Sequence, residues 1–114
     1  MNILIFEEHE NLHQMLRFLV EGCGYSPIDT YDQEVKIAIL DLEWMGREQV
    51  EDYISSKFSG IEKFIILTNN QREFLEGTKD KRIKIVLSKP FEVLELSSYL
   101  NTIKSQSQIA DEVI

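Results

Sequence analysis

Short apolar runs recur along the chain, and each ends in a polar residue. Ile3-Leu4-Ile5-Phe6 runs into Glu7 and Glu8, and Ile37-Ala38-Ile39-Leu40 runs into Asp41. Phe64-Ile65-Ile66-Leu67 runs into Thr68, and Ile85-Val86-Leu87 runs through Ser88 into Lys89 and Pro90. Continuous apolar runs rich in β-branched residues suit parallel strands buried on both faces. Between them the period changes. Leu12, Met15, Leu16, Leu19 and Val20 are spaced for one face of a helix that Gly22 and Gly24 would stop. Val50, Tyr53, Ile54 and Phe58 predict a second helix, and Phe74 and Leu75 a short, weak one. Phe91, Val93, Leu96, Leu100 and Ile103 predict a last helix just after Pro90. The alternation of strands and helices predicts an α/β fold.

One connection breaks the pattern. Residues 25 to 30 predict a short edge strand, where Pro27 is tolerable because an edge has spare backbone groups. About six residues then separate it from the strand that begins near Ile37. A parallel crossover usually takes a dozen or more residues and a helix. Six extended residues reach about 20 Å, and the return path needs roughly 16 Å. The path closes only without a helix. The sequence therefore predicts a missing crossover helix and an open sheet face beside the second strand, where exposed apolar surface is a candidate partner site.

Composition narrows the function. The chain has 114 residues, 43% of them hydrophobic, which is enough for one domain with a real core. No apolar run is long enough to cross a bilayer, and the N-terminus lacks the basic start and apolar stretch of a signal peptide. The single cysteine, Cys23, can form no internal disulfide, and a reducing, cytoplasmic setting is expected. A net charge of −8 argues against nucleic-acid binding by this domain, because phosphate backbones attract Lys and Arg. The one basic stretch, residues 79 to 84, reads as a solvated approach to a strand.

In open parallel sheets, ligands bind beyond the carboxyl ends of the strands. One edge should thus gather the carboxylates Glu7, Glu8 and Asp41, the hydroxyl of Thr68 and the ammonium of Lys89. Elsewhere, His9-Glu10-Asn11-Leu12-His13 matches H-E-x-x-H, in which two His hold zinc and the Glu activates water. No third His exists, and only Glu34 offers itself by spacing, so a small zinc hydrolase is the remote alternative.

Taken in order, Glu7-Glu8, Asp41, Thr68 and Lys89-Pro90-Phe91 resemble the motifs of response regulator receiver domains of two-component signalling, over residues 2 to about 104. The resemblance implies a doubly wound, five-stranded parallel sheet of order 2-1-3-4-5, here without the helix between strands 2 and 3. It implies a regulatory domain whose Asp41 accepts a phosphoryl group from a histidine kinase or phosphotransfer protein, without enzyme activity beyond self-catalysed transfer to Asp41. Thr68 would hydrogen-bond the phosphoryl group, and Lys89 would pair with it or with Asp41. Glu7, Glu8 and Asp41 would hold Mg²⁺, and the Lys89-Pro90 peptide would be cis.

The chain also departs from that pattern. Glu7 and Glu8 replace an acidic pair that usually includes Asp. Trp44 and Met45 stand where Met-Pro is usual, Asn69 follows Thr68 where a small residue is usual, and Val86 replaces a rotating aromatic. The alternative is a phosphorylation-independent pseudo-receiver, its site locked by Glu7 or Glu8 against Lys89, acting through protein contacts. Residues 105 to 114 read as a tail or the start of a linker to an output domain. Leu96, Ile103 and Ala110 fall seven apart, as do Leu100, Ser107 and Ile114, which hints at a dimerising helix.

Overall fold

The computed structural model describes residues 1–41, 47–69, 71–72, 76 and 80–113. Trp44, Met45, Phe74 and Leu75 lie outside them, as does the expected short helix around the last two. The strands are β1 (Asn2–Phe6), β2 (Ser26–Ile28), β3 (Ile37–Asp41), β4 (Lys63–Thr68) and β5 (Ile83–Ser88). Helices α1 (Glu10–Gly22), α2 (Arg47–Lys57) and α3 (Val93–Val113) accompany them. All strand pairs are parallel, in the order β2-β1-β3-β4-β5. This is the expected doubly wound sheet.

Strand pleating divides the core into two layers. Ile3, Ile5, Ile37, Ile39, Ile65 and Leu67 pack under α1 and α3 with Leu16, Val20, Leu96, Leu100 and Ile103. Leu4, Ala38, Leu40, Phe64 and Ile66 face the other way, against Val50, Ile54 and Phe58 from α2 and the residues after it. Both sides of β3 are thus buried, as its unbroken apolar run predicts. α1 ends in a Schellman motif: Gly24 has φ +88°, Gly24 N–H donates to Glu21 O, and Tyr25 N–H to Val20 O. The chain turns at once into the edge strand, and the buried Tyr25 donates its hydroxyl to Leu100 O at 2.8 Å, tying α3 to this turn. Not all of the α1 face is buried, since Met15 is partly exposed and Phe18 stands in solvent.

Among the described residues no helix joins β2 to β3, as expected. Asp32 Oδ1 instead accepts from Glu34 N at 2.7 Å to form a tight turn, and Val35 plugs into the second core layer. Tyr31 partly fills the place of the absent helix. Its ring meets Phe58 edge-on at 5.3 Å, and its hydroxyl accepts from Gly60 N at 2.9 Å. A Cβ on Gly60 would sit 2.7 Å from that hydroxyl. Gly60→Ala is therefore expected to push Tyr31 aside and cost about 1–2 kcal/mol in urea unfolding, the price of a disturbed half-buried hydrogen bond. In a Tyr31→Phe background the same change should cost markedly less, because the two share one interaction.

Candidate functional site

The carboxyl ends of β1, β3, β4 and β5 converge, and their last residues form the site. In register, Phe6 of β1 lies opposite Leu40 of β3, so Glu7 comes level with Asp41. Thr68 closes β4 and pairs with Ser88 of β5; Lys89 N–H then donates to Thr68 O at 2.9 Å. The Lys89-Pro90 peptide is cis.

Asp41 is the centre of the arrangement. Its side chain is 2% exposed, and its Oδ2 accepts from Lys89 Nζ at 2.6 Å. Lys89 is itself only 14% exposed, so the pair is largely desolvated and each charge depends on the other. Thr68 is buried at the end of the neighbouring strand. Asp41 Oδ1 and Glu7 Oε2 are both buried, and among the described residues neither has a hydrogen-bond partner while both groups are ionised. Two ionised carboxylates have no proton to share, so this contact needs a proton or a cation between them. Burial first, and then Asp41, push the Glu7 carboxyl up to about 7; His9 N–H, which donates to Glu7 Oε1 at 2.9 Å, and Lys89 pull the other way. A proton on Glu7 lets Oε2–H donate to Asp41.

Glu8 does not join them. It is exposed beyond the end of β1, and among the described residues no group of three or more acids, His or Cys converges on one point. Strand parity explains the difference. Glu7 continues the Ile3–Ile5 series and Asp41 the Ile37–Ile39 series, and both series face the same layer. That parity is present in the sequence and could have separated Glu7 from Glu8. The same geometry bears on Mg²⁺. Two buried carboxylate oxygens of neighbouring groups, without partners among the described residues, are a fit for a divalent cation, which commonly takes one or two protein carboxylates and completes its shell with water and phosphate.

Lys89 reaches Asp41 at 2.6 Å, and Glu7 lies beside the same carboxyl group, where the charge of Lys89 acts on it too. Asn69 is exposed at the mouth, and Val86 is buried with its carbonyl accepting from Gln71 Nε2 at 2.8 Å. The H-E-x-x-H residues point elsewhere. His9 precedes α1, and His13 Nε2 lies 2.9 Å from Asp29 Oδ1, which also takes Arg17. Glu34 is exposed in the β2–β3 turn.

No family model matches the sequence, and no curated protein matches it significantly. Solved structures do. The signal receiver domain of an HD domain-containing protein from Pseudomonas fluorescens superposes with a TM-score of 0.66 at 20% identity, covering 99% of this chain and 93% of that one. The fold is that of a signal receiver domain. A protein from Burkholderia pseudomallei described as pilus assembly-related shares this receiver fold at a TM-score of 0.70 and 19% identity, covering 93% and 90% of the two chains. A response regulator in red light signalling of R. palustris matches at 0.52 and 15%, covering 90% of each. The carboxyl edge that gathers Glu7, Asp41, Thr68 and Lys89 is therefore the carboxyl edge of a receiver sheet. Among the described residues no helix is long and apolar enough to cross a membrane.

Proposed function

We propose that this receiver domain accepts a phosphoryl group on Asp41 from a phosphohistidine of a kinase or phosphotransfer protein. It would pass the signal on through protein contacts and turn over no substrate of its own. The observation that supports this best is the desolvated Lys89–Asp41 pair at the carboxyl edge of the sheet. A lone pair on an Asp41 oxygen forms the new O–P bond. The N–P bond electrons leave with the imidazole, which takes a proton from solvent. Lys89 is already in place to balance the charge that arrives on Asp41. Thr68 offers a hydroxyl to a phosphoryl oxygen at the end of the adjacent strand. Glu7 and Asp41 would hold Mg²⁺, which when bound offsets the charge of the carboxylate and the incoming phosphoryl oxygens. α3, which continues past residue 104 to Val113, is the natural route to a dimer partner or output module.

A second reading has its own observation. Glu7 already lies against Asp41, and a proton shared between them closes the site without phosphate. The domain would then be an interaction module independent of phosphorylation. Acetyl phosphate or beryllofluoride with millimolar Mg²⁺ separates the two. A phosphoryl mass increment, or a beryllofluoride-induced spectral change, that is absent in Asp41→Asn supports the first reading. No response in the unmodified chain supports the second.

A further inference from the structure

We propose that the groove left by the missing crossover helix docks a basic amphipathic helix of a partner protein. This inference is independent of whether Asp41 accepts a phosphoryl group. α1 and α3 cover one face of the sheet; on the other, α2 and Phe58 pack over β3, β4 and Leu4 of β1, while Phe6, Ile28, Tyr31 and Tyr53 stay only partly buried. Parallel sheets bury both faces. Here a groove of about 340 Å³ remains, in which the half-buried Phe6, Tyr31 and Tyr53 offer apolar surface over the buried Leu4 and Phe58. The walls are fixed: Tyr53 and Phe58 rings lie 5.5 Å apart, Phe6 and Tyr53 6.0 Å apart, and Tyr31 is anchored on Gly60 N.

The kind of occupant follows from the floor. Leu4 and Phe6 belong to β1, which is paired on both sides by β2 and β3. A docked strand would find no free backbone edge in this groove. A helix satisfies its own backbone and needs only apolar anchors, which is what the aromatic walls offer. The volume is at the low end for small-ligand cavities, roughly 300–1,000 Å³, so it admits anchoring side chains while the helix itself lies above.

The charge of the partner follows from the rim. The turn that makes one wall carries Asp32 and Glu34, both exposed, and exposed Asp52 adjoins Tyr53 on the other. Asp29 also lines the groove but is engaged by Arg17 and His13. Among the described residues Lys57 is the one cation of the lining, in a chain of net charge −8. Lysine or arginine beside the apolar stripe of the incoming helix complements this rim.

The test titrates the isotope-labelled 114-residue chain with a short leucine–lysine peptide whose leucines repeat at i, i+3, i+4 and i+7. Controls are a peptide of the same composition with the leucine stripe scattered, and a leucine–glutamate peptide with the stripe intact. The expected result is saturable amide shifts centred on Leu4, Phe6, Tyr31, Tyr53 and Phe58 with the striped basic peptide alone, weakened by salt. Tyr53→Asp should weaken binding about tenfold or more, as loss of an aromatic anchor does. Lys57→Glu, at an exposed position that leaves packing untouched, should tighten it. Shifts that are absent, that lie outside the groove, or that occur equally with the acidic or scattered peptide would overturn the proposal. So would groove shifts that grow with protein concentration in the absence of peptide, because a second copy of the chain would then be the occupant.

Discussion

Lys89→Met is expected to destabilise the domain by about 3–5 kcal/mol near neutral pH, the usual consequence of removing one partner of a buried ion pair. Methionine keeps much of the volume of the lysine stem, so the loss measures charge and not packing. It leaves the buried Asp41 carboxylate without the cation that balances its charge and without the donor to its Oδ2. Urea unfolding of both proteins at pH 7 reads the deficit directly. Adding Asp41→Asn to Lys89→Met should recover most of the loss, because a neutral amide leaves no buried charge behind. A deficit below about 1 kcal/mol at pH 7 would mean that water reaches the pair and that it behaves as a surface bridge.

The strand framework was legible because each buried strand is an unbroken apolar run, and because a six-residue gap cannot hold a crossover helix. What occupies that gap was not legible. Tyr31 reaches Gly60 across 29 residues of sequence, and no local pattern encodes that contact. The exposure of Met15, on the face that spacing assigns to the core, has a related reason. Helical spacing shows which residues share a face, but not how much of that face a neighbouring helix reaches. The site was legible as a set of strand ends: Asp41 and Lys89 do meet. Glu7 and Glu8 were read as equivalent because they are adjacent, yet adjacent residues diverge at the end of a strand, and only Glu7 shares the facing of Asp41. Trp44 and Met45, the residues that depart most in kind from the family pattern, lie outside the described residues.

Glu7→Gln is expected to stabilise the domain at pH 8 by about 1–2 kcal/mol, a value reduced from the full linkage because the side chain is only partly buried. The sign follows from proton binding. The Glu7 carboxyl is raised from 4.5 to about 7 in the folded protein. Between those values the native state holds a proton that the unfolded chain has released. Stability from this group is therefore fully present below about pH 4.5 and is lost as pH rises toward 7. Glutamine removes the dependence. Its amide can donate to Asp41 Oδ1 at every pH, and its carbonyl can keep the hydrogen bond from His9 N–H. Unfolding at pH 5 and pH 8 should show a slope in the unmodified chain and a flatter response in the variant. The same pair of proteins distinguishes the two ways of satisfying the carboxylates. A cation between them does the work of the shared proton, so millimolar Mg²⁺ should raise the melting temperature of the unmodified chain at pH 8 and have little effect at pH 5. Glu7→Gln should lose most of that rise, since an amide is a poor substitute for a carboxylate toward a hard cation. If Mg²⁺ shifts neither protein, the proton alone closes the Glu7–Asp41 contact, and the phosphorylation-independent reading gains accordingly.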